Sequence, residues 1–181
     1  MGYRLFLLGW ILLTAQSLFA QRPLSEEDLK TIHVQVNKQA SDLWDTLTRS
    51  GSYSPLMTEF MVDTFRIESI GRAKMEVDYS TQGMNQAIYE SAAEYDKLMN
   101  KFYGRLIQKL SAEDKKTLQS SQRNWLSFRD KEKEVIELMG KEDYTGGGTI
   151  QSNFTAAFYL ELIQHRAIEI WNHLMRISEG N

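Results

Sequence analysis

Residues 84–110, MNQAIYESAAEYDKLMNKFYGRLIQKL, decide the fold. From Met84 an apolar side chain returns at Ile88, Ala92, Tyr95, Met99, Phe102, Leu106 and Leu110, in steps of three and four. A helix at 3.6 residues per turn gathers such positions onto one face, whereas a strand needs alternation by two. No segment of the chain shows that alternation. Working outward, Ser111-Ala112-Glu113-Asp114 reads as the cap and acidic first turn of a second helix. That helix carries Leu118, Trp125, Leu126, Val135, Ile136 and Met139 inward and stops at Gly140. Thr145-Gly146-Gly147-Gly148-Thr149 follows as an open loop. A last helix is expected over about 152–177, with Phe154, Ala157, Leu160, Ile163, Ala167, Ile170, Trp171 and Leu174 inward.

On the other side, a less regular helix is expected over about 56–76, with Met57, Phe60, Met61, Phe65 and Ile70 inward and Gly71 as its weak point. Before it, Ser25 heads the capping sequence SEED, and Leu29, Ile32, Val36, Ala40, Leu43 and Leu47 form an apolar stripe. Ser50-Gly51-Ser52-Tyr53-Ser54-Pro55 ends that helix. The expectation is an all-α fold, a bundle of four to five helices joined by short loops.

The first twenty residues are a different kind of sequence. A basic start up to Arg4 precedes the apolar run Leu5–Leu13, and TAQSLFA ends on the small residue Ala20. That layout is a cleavable secretory signal with its cut at Ala20/Gln21, and the run is short for a permanent anchor. An uncleaved N-terminal anchor is the competing reading. Removing residues 1–20 takes away Arg4 and no acid, leaving 20 basic and 24 acidic side chains and a net charge of −4. The expected product is soluble, with no membrane attachment after signal removal, and periplasmic or secreted. Its acidic balance argues against nucleic acid as a partner. The absence of cysteine across all 181 residues removes disulfides, thiolate nucleophiles, iron–sulfur clusters and thiolate zinc sites. Three histidines leave little for a His-rich metal centre, and no cofactor motif is present.

Several polar residues stand where apolar ones belong. Asp96, Asn100 and Tyr103 share a stripe beside Met99, Phe102 and Leu106. Gln122, Trp125 and Arg129 repeat that spacing in the next helix, with Asp130 adjoining, and Arg166 lies between Ile163 and Ile170. A buried guanidinium or carboxylate must be partnered. The economical expectation is a structural network in which Asp96 meets Arg129 or Arg166 and Asn100, Tyr103 and Gln122 supply hydrogen bonds. A solvated edge of the stripe and a functional pocket are the alternatives.

These residues also carry a resemblance. Tyr95–Tyr103 (YDKLMNKFY), Leu110–Asp114 (LSAED), Gln122–Asp130 (QRNWLSFRD), Gly146–Ile150 (GGGTI) and Arg166 resemble the lysozyme inhibitor LprI-like N-terminal domain family, over about residues 78–175. The resemblance implies a small exported helical domain of bacterial envelopes, one branch of which is associated with inhibition of lysozyme. It divides the chain into a signal peptide (1–20), an N-terminal helical extension (21–77) and an LprI-like helical domain (78–177). Many members carry cysteines that pair the helices, and this chain has Ala87, Lys133 and Phe158 near those places.

An inhibitor of lysozyme occupies a cleft built around two carboxylates, so it needs a projecting loop with donors. Ser50-Gly51-Ser52-Tyr53 and Gly146-Gly147-Gly148-Thr149 are the two candidate partner-binding loops, and plain connections between helices are the alternative. His165, Glu169 and His173 recur every fourth residue, a spacing able to hold a metal ion, but by helical angle they belong to a solvated face. No nucleophile with an orienting base and acid is identifiable, so the expected role is binding, without catalysis, cofactor or metal.

Overall fold

Six helices follow one another in the computed structural model, which describes residues 22–180: α1 (Glu26–Ser50), α2 (Pro55–Val77), α3 (Thr81–Lys109), α4 (Ala112–Met139), α5 (Glu142–Thr145) and α6 (Ile150–Glu179). The signal read in residues 1–20 lies outside the described residues. The fold is all-α, and serines start four of its five long helices. The hydroxyls of Ser25, Ser54, Ser80 and Ser111 accept from the backbone N–H of Asp28, Met57, Gly83 and Asp114. Each satisfies one of the donors that a helix start leaves unpaired.

Local caps set the helix boundaries. α3 begins at Thr81, because Ser80 caps it and Asp78 in turn accepts from the Ser80 N–H and hydroxyl. Gly83 fits over Asp78, where a Cβ would lie 2.2 Å from the carboxyl carbon. The single turn α5 precedes the segment read as a loop and shares only Thr145 with it, and Gly146, Gly147 and Gly148 all take positive φ, which only glycine adopts at no cost. α6 then starts at Ile150, two residues early.

α3 and α6 form the centre, side by side and parallel. Asn85 pairs with Ser152 and Asn153, and ten residues on the Tyr95 hydroxyl accepts from Gln164 at 3.0 Å. Buried Ala92, Ala156 and Ala167 let the two backbones approach closely. Tyr95, Met99, Phe102, Ile163, Ile170 and Leu174 fill the seam. Parallel neighbours need a crossover, and α4 supplies it by running back along α6.

α2 lies antiparallel on α3, joined at its base by apolar packing and along its length by charge. The Phe60 ring stacks on Trp171 at 4.1 Å and meets Phe102 at 5.8 Å. Successive rungs are Glu59 with Arg105 and Lys101, Asp63 with Lys101, Glu68 with Tyr95, and Lys74 with Glu90. Burial, with Glu68 beside it, pushes the Tyr95 hydroxyl well above its ordinary range, so it stays protonated and donates to Glu68. Close approach at the far end is permitted by Gly71, where a Cβ would meet the Ser91 hydroxyl at 2.6 Å. Gly71 read as a weak point from sequence, and its place is this contact. α1 packs mainly on α2, through a second cluster of Ala40, Leu47 and Val62 with Leu43, Met61 and Phe65 around it.

The Arg105 guanidinium, with Lys101, holds the Glu59 carboxyl below its ordinary 4.5. A depressed carboxyl contributes stability that is complete above its unfolded pKa and lost as pH falls through the folded one. Urea midpoints of the wild type should therefore decline below about pH 5, and Glu59→Gln should decline less steeply over the same range. Parallel acid limbs would mean that the rung carries no linkage.

Four inward expectations in α4 and α6 are corrected. Val135, Met139 and Phe154 are exposed, and Ala156 takes the buried place expected of Ala157. The helical pattern is present there, but no described element covers it.

Candidate functional site

α4 buries one residue fully, and that residue is polar Gln122. Its spacing sets Gln122, Trp125 and Arg129 along the α4 face turned to α3 and α6, while Arg166 rises from the apolar stripe of α6. The Arg166 side chain is 6% exposed. Its Nε and one terminal nitrogen donate to Gln122 Oε1 at 3.1 and 2.9 Å, and the same terminal nitrogen reaches Ser121 Oγ at 3.4 Å. The other terminal nitrogen donates to Glu169 at 2.7 Å. Gln122 Nε2 sits 3.6 Å from the Met99 sulfur, so the amide ties α4 to both central helices. The Trp125 ring has the guanidiniums of Arg129 and Arg166 5.7 and 5.8 Å from its centroid. The result is a clasp holding α4 in place.

The structure brings Gln122, Trp125 and Arg166 together and leaves the rest of the expected network beside them. Arg129 donates to neighbouring Asp130 at 2.9 and 2.7 Å and lies 3.9 Å from Asp96. Asp96 accepts from Asn100 at 3.1 Å, and Tyr103 packs half-buried against the core. The carboxylate that meets Arg166 is Glu169, three residues along its own helix. Sequence reasoning missed it, although that spacing is the local signal for such a pair. Arg166 and Gln122 are committed to each other and to their neighbours across two helices, which suits them to fix those helices.

Glu169 also lies 3.9 Å from His173, and His165 lies 3.9 Å from Glu161, both pairs in solvent. Among the described residues no group of three or more His, Asp or Glu is placed to hold a metal ion.

The two candidate loops mark opposite ends of the bundle. Gly51 closes α1 with φ 63°, and Ser50 Oγ folds the turn by donating to the Leu47 carbonyl and accepting from the Ser52 N–H. Tyr53 projects beyond it, 45% exposed. This turn lies at the end where α3 and α6 finish. Gly146, Gly147, Gly148 and Thr149 lie where α3 and α6 begin, and Thr149 leads into α6 without a side-chain cap bond. At 1.5 Å per residue the helices between them set the loops roughly 40 Å apart.

Two grooves flank the centre. One, of about 590 Å³ between α1, α2 and α3, is lined by Lys74, Glu90, Asp63 and Lys101, charges already matched along the α2–α3 ladder. The other, between the later half of α4 and the start of α6, is largely apolar.

A helical scaffold whose buried polar cluster joins its own helices defines a small all-α domain. The chain belongs to the lysozyme inhibitor LprI family, whose family model matches residues 72–170. The match runs from the end of α2 through most of α6 and contains the whole clasp. No curated protein and no solved structure is detectably similar to the chain.

Proposed function

We propose that the protein is exported and binds lysozyme, or a related peptidoglycan-cleaving enzyme, as an inhibitor that does no chemistry of its own. The family match over residues 72–170 carries this reading. Its exported form begins at Gln21, once the signal of residues 1–20 is removed, and works in the periplasm or outside the cell. Among the described residues no helix is long and apolar enough to cross a membrane. The net charge of −4 left after signal removal favours approach to a commonly basic enzyme, because complementary charge raises association rates.

Lysozymes of several types, assayed on cell walls with increasing amounts of the protein, test the reading. Saturable inhibition of at least one type is expected, and no inhibition of any type overturns it. The mass of the secreted protein should correspond to a start at Gln21. An interface of ordinary size covers about 800 Å² on each partner, roughly 30 Å across, and cannot span both loops. Tyr53→Ala and Thr149→Ala should therefore not both weaken inhibition, with helicity by circular dichroism unchanged in each. Equal loss in both variants would count against a single footprint at one end.

A further inference from the structure

α4 and α6 close on each other over only part of their length. Beyond the clasp they stand around a cleft of about 610 Å³ walled by Phe128, Val135 and Met139 from α4 and by Phe154 and Phe158 from α6. The Phe154 and Phe158 rings stack one turn apart at 6.5 Å, and Phe158 is 54% exposed. Of the fourteen exposed large apolar side chains among the described residues, five line this cleft. Single exposed apolar residues are ordinary, but such a concentration marks a surface that is covered in use. The helical stripe that points Val135, Met139 and Phe154 inward says the same from the sequence: an apolar face is specified, and no described element lies over it.

Charge indicates what covers it. Residues 130–161 hold seven carboxylates and three lysines, a net of −4, against −3 for the whole chain. Glu132 and Glu161 stand on the cleft walls, and no lysine or arginine lines it. A second copy laid face to face would set those carboxylates against their own counterparts, and like charges across an interface are unfavourable. A cationic surface meets no such opposition.

We infer that the α4–α6 cleft is the docking surface for a basic protein that presents an apolar side chain within a cationic surround. Resting on the proposed function, that protein is the peptidoglycan-cleaving enzyme itself. The apolar walls supply affinity through burial, and the acidic rim supplies steering and orientation. Thr145 forms part of the cleft wall, so the Gly146–Gly148 turn lies beside the bound partner while Tyr53 is at the remote end.

Calorimetric titration with cationic lysozymes of c and g type tests the inference on the purified wild type, Phe158→Ser, Met139→Ser, the double variant Glu132→Gln/Glu161→Gln, and Tyr53→Ala. Phe158→Ser and Met139→Ser should each weaken binding about tenfold or more, as loss of a central apolar contact does, at an unchanged melting temperature. Wild-type affinity should fall as salt is added, and the double variant should lose that dependence in part. Tyr53→Ala should bind as the wild type does. Wild-type binding that survives every cleft substitution overturns the inference and leaves the proposed function standing. A wild type that binds neither lysozyme overturns both. Sedimentation that finds a dimer, split by Phe158→Ser, would give the cleft to a second copy and overturn the inference as well.

Discussion

Phe102→Ala is expected to cost about 4 kcal/mol of folding stability, the middle of the range for emptying a buried aromatic site. Phe102 is 0% exposed and lies where α2, α3 and α6 meet. Its ring is 5.8 Å from Phe60, and Phe60 in turn stacks on Trp171. The space left by the ring is bounded on three sides by helices that are also fixed elsewhere. The charge ladder holds α2 on α3, and the Tyr95–Gln164 bond holds α6 on α3. None of the three can move in freely, so the cavity and transfer costs add. For a domain of this length the melting temperature should fall by about 12 °C. Urea unfolding should show a lower midpoint at unchanged slope, the mark of lost stability without a change in the surface exposed. Phe128→Ala, at an exposed ring of the same kind, should stay within about 0.5 kcal/mol of wild type. A loss at Phe102 as small as that would mean that α2 does not share the central core.

This arrangement was legible in the sequence up to the point where one helix must choose another. The stripe from Ile88 to Leu106 states which face of α3 is inward, because spacing and angle are the same information. It does not state that the partner is α6, or that the two run parallel. That depends on three alanines thin enough to bring two backbones together, and alanine at a stripe position is a weak signal beside Phe or Leu. The cap of α3 was not legible for a similar reason: the missing Cβ of Gly83 makes room for Asp78, a role that spacing does not show. In the candidate site, polar residues on apolar stripes correctly marked Gln122, Trp125 and Arg166 as a group to be explained. Their partners were not legible, since a guanidinium on a long stem reaches a carboxylate one turn along its own helix as readily as one on a neighbour.

The residues that carry the family resemblance, above all Gln122-Arg123-Asn124-Trp125-Leu126-Ser127-Phe128-Arg129-Asp130 and Arg166, include Gln122, Trp125, Arg129 and Arg166 of the clasp. They specify how α4 is held. The cleft that α4 helps to wall lies outside most of them, so membership of the family defines the scaffold more closely than the surface it offers to a partner.

Removing the cation of that clasp tests whether it acts as a unit. Arg166→Met keeps most of the stem volume and is expected to cost about 3 kcal/mol, within the range for breaking a buried hydrogen-bonded charge. The value belongs at the low end because Glu169 is half-exposed and regains water when Arg166 is lost. Gln122 has no such recourse: its Oε1 loses both donors and its Nε2 faces only the Met99 sulfur. The melting temperature should fall by about 9 °C. Arg166→Lys should recover little, because one ammonium cannot span Gln122, Ser121 and Glu169 as a planar fork does. Gln122→Leu added to Arg166→Met should restore part of the loss, since replacing both partners by apolar groups removes the stranded amide. A double variant as unstable as the sum of its parts would show that the two residues are not coupled. The damage should also be local. With only Gln122 fully buried on α4, amide exchange should quicken along α4 before it does in α3. Because α4 forms one wall of the apolar cleft, inhibition should weaken in Arg166→Met at temperatures where α3 and α6 remain folded.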